Sequence, residues 1–206
     1  MRRLRPFAVC AALIWGAAPA WGGEYLAPES TNFPAYEAAV TGIFKAAYAP
    51  DVRARAIVEP SLFLEFAVGV TQSHGAFEVF FLEPSTQVWQ AVTSPDHRTD
   101  LKAITVKRCS MPIYPDIGER LVAAWASALQ DVRPSDGTGG LDGDSYHFSM
   151  TLKGHDLAGQ TWSPLESSEA GRLASIAYTI RSACKDGKYK LDRIGTILGE
   201  IRTRAQ

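Results

Sequence analysis

Apolar residues recur along this chain at two different spacings, and each spacing predicts a different kind of element. Phe33, Tyr36, Val40, Ile43, Phe44, Ala47 and Tyr48 fall three and four positions apart, the rhythm of a helix with one buried face. Asn32 ahead of Pro34 suits a helix start and Pro50 a stop, so the spacing predicts a helix over 34–48. Further on, Leu62, Leu64, Phe66, Val68 and Val70 alternate with Phe63, Glu65, Ala67, Gly69 and Thr71, which puts an aliphatic stripe on one side of a strand. Ser73-His74-Gly75 reads as a tight turn and 77–82 as the returning partner of an antiparallel hairpin. Residues 54–58 are expected to pair alongside, and 87–92 and 101–108 read as further strands separated by the turn Ser94-Pro95-Asp96.

The second half repeats the two rhythms without repeating any sequence. Ile117, Leu121, Trp125, Ala128 and Val132 form a helical stripe with Asp116 as its cap and Arg133-Pro134 as its exit. Residues 135–144 follow, rich in glycine and aspartate. Tyr146, Phe148, Met150 and Leu152 then alternate with His147, Ser149, Thr151 and Lys153, the cleanest half-buried strand of the chain. A connection over 154–161 leads to a helix beginning at Ser163-Pro164, with Glu166 close behind, or capped later by Ser167. That helix runs to about Lys185 and stops at Asp186-Gly187; Leu191, Ile194, Ile197, Leu198 and Ile201 make a last amphipathic helix. Strands and helices that do not alternate regularly indicate an α+β fold. We expect one domain, with a mainly antiparallel sheet of about four to six strands packed with about four helices.

The first residues change the picture of where the chain works. Arg2, Arg3 and Arg5 precede a short apolar run from Phe7 to Ala18, and Ala18-Pro19-Ala20 and Ala20-Trp21-Gly22 offer small-residue cleavage sites. This is the layout of a secretory signal peptide over 1–22, cut near Ala20 or Gly22, and it predicts a single globular domain over 23–206 in the periplasm or outside the cell. With 46% hydrophobic and 21% charged residues the chain as a whole has the composition of an ordinary folding, globular protein. Loss of three arginines from 21 basic residues leaves 18 against 22 acidic ones, a net charge of −4. Nucleic acid is thereby a poor partner, since its binding needs clustered positive charge. No later apolar run reaches the length of a stable membrane anchor.

Removal of the leader also removes Cys10 and leaves Cys109 and Cys184, an even count in an oxidising compartment. A bridge between them would tie the last helices to the sheet; two separate buried thiols are the alternative.

Candidate chemistry gathers between 136 and 164. Asp136, Asp142 and Asp144 are hard oxygen ligands of the calcium kind, while Asp-Gly chemistry also makes an ordinary turn. His147, His155 and Asp156 are potential transition-metal ligands, but no histidine pair has zinc-protease spacing. Ser73 and Ser163 lie outside a nucleophile elbow, and a disulfide would consume Cys109 as a thiol nucleophile. Trp89 and Trp162 lie near segment ends where a ring could anchor a partner, whereas Trp125 belongs to a helix stripe. No cofactor motif and no metal cage is evident.

Gly140-Leu141-Asp142-Gly143, Tyr146-His147-Phe148-Ser149 and Gly159-Gln160-Thr161-Trp162-Ser163-Pro164 together resemble a pattern in uncharacterised exported bacterial proteins. The resemblance covers the C-terminal third and implies no activity. Two classes of function are left. One is a non-catalytic binding protein of the envelope, an inhibitor, immunity-type partner or accessory factor of another envelope or secreted protein. The other is a small secreted hydrolase, which requires Asp142, Asp144, His147 and His155 to converge in one cleft.

Overall fold

The apolar stripes meet on a single sheet, and both of its faces are used. The computed structural model describes residues 24–94, 100–134, 142–186 and 192–201; the expected leader and Asp136 lie outside them. Six strands, β1 (Val52–Pro60), β2 (Phe66–Ser73), β3 (Ala76–Pro84), β4 (Val106–Ile113), β5 (Asp144–Leu152) and β6 (His155–Trp162), pair antiparallel throughout. Their order is β4-β3-β2-β1-β5-β6. β1 to β4 form the expected meander, and the chain then returns to lay β5 along the free side of β1. The β2–β3 hairpin turns through His74 and Gly75 at φ 49° and 82°, and the β5–β6 hairpin through Lys153 and Gly154 at 50° and 81°. Two successive positive φ angles match the twist of the strands, and glycine takes the second at no steric cost.

Three helices, α3 (Pro115–Gln130), α4 (Glu169–Asp186) and α5 (Asp192–Glu200), cover one face. Leu121, Ala124 and Trp125 of α3 and Leu173, Ile176 and Ile180 of α4 close on Val58, Phe66, Val68, Phe81 and Phe148. Trp125 is fully buried, meets the Phe148 ring edge-on at 5.7 Å, and donates its indole N–H to the Arg55 carbonyl at 3.3 Å. Cys109 on β4 and Cys184 near the end of α4 are joined by a disulfide with a Cα–Cα distance of 6.0 Å. The bridge pins α4 to an edge strand.

The other face carries a thinner cover of α1 (Pro34–Ile43), a 3₁₀ turn over Lys45–Tyr48 and the short α2 (Val88–Thr93), packed on Ile57, Ala67, Phe80 and Leu82. A Cβ at Gly69 would stand 2.4 Å from the Ala54 carbonyl oxygen and 2.6 Å from the Phe80 ring, so this glycine lets Phe80 close on the strand. The sheet edges are protected. β4 exposes Lys107, Arg108 and Pro112, and β6 pairs at Gln160 with Ala27 of the N-terminal lead-in through two backbone hydrogen bonds of 2.7 and 2.8 Å.

Several elements differ from the periodicity reading. The strand expected from Leu62 begins at Phe66, because Val58 already pairs with Phe66 and residues 61–65, after the end of β1, make the connection. Residues 87–92, read as a strand, are helical as α2, whose first N–H groups find an acceptor in Glu65. The strand read over 101–108 starts at Val106, after a 3₁₀ turn over Leu101–Ala103 capped by Asp100. The connection over 154–161 is β6. Tyr114, not Asp116, is the N-cap of α3, with Pro115 opening the helix. The helix expected at Ser163 begins at Glu169 instead; Ser168 Oγ accepts from the Gly171 N–H at 2.9 Å, the cap the helix needs. Helix one breaks after Ile43 into the 3₁₀ turn.

Candidate functional site

Alternation along β5 decides the fate of the four acidic and histidine candidates. Asp144 opens the strand with its side chain on the three-helix face, three residues before His147, which faces the other side. Asp142 is exposed ahead of the strand, and exposed His155 pairs opposite Leu152 at the far end. With a rise of about 3.4 Å per residue, the two ends of β5 lie roughly 27 Å apart. The four side chains therefore do not share a cleft, and among the described residues no three His, Cys, Asp or Glu side chains are grouped to hold a metal ion. Ser163 Oγ accepts a hydrogen bond from the Asp144 N–H at 3.0 Å, and Cys109 is in the disulfide.

Asp144 has other neighbours. Its Oδ2 accepts hydrogen bonds from the hydroxyls of Tyr146, two residues on, and of Tyr178 on α4, the former at 3.3 Å. Burial, followed by the negative charge of Asp144, pushes the Tyr146 phenol well above its usual value; Tyr178 is pushed up by burial and by its hydrogen bond to the same carboxylate. Both phenols therefore remain protonated donors and clamp β5 to α4. Beside this clamp a cavity of about 510 Å³ opens between α4, α5 and the segment after β6, with Ser163, Pro164, Ser175, Thr179 and Arg193 among its walls. Asp144 and Tyr146 share a strand face that the alternation makes visible in the sequence. Tyr178 lies 34 positions away and carried no local signal.

On the opposite face His147 Nε2 stands 3.4 Å from Glu59 Oε2. Burial acts to lower the imidazole pKa, but the Glu59 hydrogen bond and the charges of Glu59, Glu29 and Glu37 outweigh it and hold His147 above its ordinary value. Glu37 in turn accepts from the N–H groups of Asn32 and Phe33 at 3.0 and 3.3 Å, tying the start of α1. Glu65 is buried; one carboxylate accepts from Val88 N–H and Trp89 N–H, both at 2.8 Å, and from the Tyr36 hydroxyl at 3.2 Å. Its burial and these glutamates push the Tyr36 phenol upward.

What this polar scaffold supports is apolar. Trp89 meets Phe33 and Tyr36 edge-on, each at 5.1 Å between centroids, and Gln87 Nε2 donates to the Phe63 carbonyl at 3.3 Å, holding the β1–β2 connection against the start of α2. Leu62, Phe63, Phe33 and Trp89 are 79%, 61%, 56% and 37% exposed. The sequence marked Trp89 as a ring near a segment end; it assigned Leu62 to a buried stripe, which the loop over 61–65 instead turns outward. No family model matches the chain, and no curated protein or solved structure matches it significantly.

Proposed function

We propose that the protein is an exported, non-catalytic binding protein of the bacterial envelope, of the inhibitor, immunity or accessory kind, and that it docks a basic region of another exported protein on the corner formed by Phe33, Leu62, Phe63 and Trp89. The observation that carries the reading is that these four large apolar side chains are left to solvent, with Phe33 against the Trp89 ring and the backbone of Phe63 tied to neighbouring Gln87. Exposed apolar surface with a polar rim is a common mark of an interface, and aromatic anchors dominate binding energy there. Glu37, Glu59 and Glu29 lie close enough to raise the His147 pKa together, and Glu37 is bonded to the backbone of Phe33 itself. An acidic rim steers a basic partner and disfavours an acidic one. The Cys109–Cys184 bridge supports export, because such bonds persist where the surroundings are oxidising. Among the described residues no helix is long and apolar enough to cross a membrane.

Site-specific photo-cross-linking tests the reading in cells that make the protein. A photoreactive residue at Phe63 should cross-link to one protein whose linked peptide is positively charged, and the same residue at exposed Tyr114 on the other side of the sheet edge should not. The Trp89→Ser or Glu37→Lys variant should abolish the product, while Phe63→Ser should change stability by no more than about 0.5 kcal/mol. A product indifferent to both substitutions, an equal product from Tyr114, or a link only to a second copy of this chain would overturn it.

A further inference from the structure

The cavity beside the tyrosine clamp lies on the three-helix face, and nothing proposed above makes use of it. We propose that it is a binding site for a small hydroxylated carboxylate, a sugar acid in chemical class, with Arg193 taking the carboxylate and the hydroxyl row of α4 taking the hydroxyl groups.

The walls carry the argument. Ser175 and Thr179 line the cavity from α4, four positions apart, on a helix whose other side is the aliphatic series Leu173, Ile176 and Ile180; Ser182, three positions on, also lines it, with its hydroxyl already donating to Asp186 at 2.9 Å. Hydroxyls both donate and accept, so a row of them matches a ligand that presents several hydroxyls of its own. Thr179 is buried and donates to the Ser175 carbonyl at 2.8 Å, which leaves the lone pairs of its oxygen as acceptors toward the cavity. The opposite lip is held in an uncommon conformation. Ser163 has φ 37°, kept there by its N–H donating to the Asp144 carbonyl at 2.9 Å and by its Oγ accepting from the Asp144 N–H. A non-glycine residue in the left-handed region is retained only where surrounding bonds over-determine it, and such strain concentrates at binding sites.

Charge selects among hydroxylated ligands. Arg193 lines the cavity and makes no ion pair among the described residues, and its planar fork suits a carboxylate. Asp144 does not line the cavity; its Oδ2 accepts from the hydroxyls of Tyr146 and Tyr178, which do. Glu166 on the lip is left to accept from a ligand hydroxyl. Pro164, Ala174 and the Tyr178 ring offer the apolar surface on which the C–H face of a sugar ring can rest. A volume of about 510 Å³ is within the usual range for one small molecule.

Titration calorimetry on the whole protein with glucuronate and galacturonate, against glucose and acetate, tests the site. We expect a uronate to bind with a dissociation constant below about 1 mM, and glucose and acetate to bind at least tenfold more weakly. Arg193→Gln, at an exposed position, should leave the fold intact and weaken the uronate at least tenfold, and Thr179→Val should weaken it while leaving acetate unaffected. An oligouronide binding more tightly than the monomer would identify a polymer end as the source of the ligand, and equal binding the free acid; both results sustain the site. No uronate binding, acetate as tight as uronate, or an Arg193→Gln variant equal to the wild type would overturn it. The Phe63→Ser variant should bind uronate normally, so failure here and failure of the docking corner are separate results.

Discussion

The two faces of the sheet solve the same burial problem in opposite ways. On one, helices of 16, 18 and 9 residues enclose Trp125, Phe148, Leu121 and Ile176 completely, and a disulfide fastens the longest helix to β4. On the other, helices of 10 and 6 residues cover only the middle strands, so His147 is left in a polar setting and Phe33 and Trp89 protrude. The first face resembles the interior of any stable domain. The second spends a buried carboxylate, Glu65, to hold a short helix whose main product is an exposed aromatic corner. Complete enclosure and aromatic exposure are thus segregated to opposite sides of one sheet.

Three variants probe that segregation, in descending size of effect. Replacing both cysteines, Cys109→Ser with Cys184→Ser, should lower the unfolding free energy by about 4 kcal/mol in a denaturant titration, since the bridge closes a loop spanning 75 positions. A loss under about 1 kcal/mol would mean that the helical face does not need its staple. Glu65→Ala should cost about 2–3 kcal/mol, because two buried or half-buried N–H groups and the Tyr36 hydroxyl lose their acceptor. Amide exchange should speed up in α2 first. Equal acceleration across α3 and α4 would show that the two faces unfold as one and blur the contrast.

The smallest effect belongs to His147. Its folded-state pKa lies above the ordinary 6.5, so the stabilisation is fully present below about pH 6.5 and is lost as pH rises through the raised folded value. Wild type should therefore gain stability over His147→Gln at about pH 5.5 relative to pH 8, by no more than about 1 kcal/mol for a partly exposed pair. A gain that grew with rising pH instead would refute the charge assignment at the Glu59 pair.

Much of the architecture was legible in the sequence. The hairpin at His74-Gly75, the half-buried strand through Tyr146 and the stripe of α3 follow from alternation, glycine and three-four spacing, all of which depend on neighbours only a few residues away. The same alternation separates Asp144 from His147, although their closeness in sequence had suggested a shared site. α2 was hidden because six residues are too few to display a period, and because the acceptor of its first N–H groups, Glu65, lies 23 positions upstream of Val88. β6 was hidden because Gly159 and Ala158 carry little strand signal of their own; β5 supplies the pairing that makes it a strand. The candidate surfaces were harder still, since Tyr178 reaches Asp144 from α4 and the loop over 61–65 reverses the exposure of Leu62.

By itself the sequence determined the α+β class, the periods of its longer elements and the faces of β5, because each of these is set by local spacing or by composition. Only the tertiary structure decided that β5 lies beside β1, that Cys109 meets Cys184, that two tyrosines share one carboxylate, and that Phe33 meets Trp89 while Leu62 and Phe63 stay outside the core. Those outcomes depend on which distant segments bury their stripes against each other, and a chain read one window at a time contains no measure of that distance.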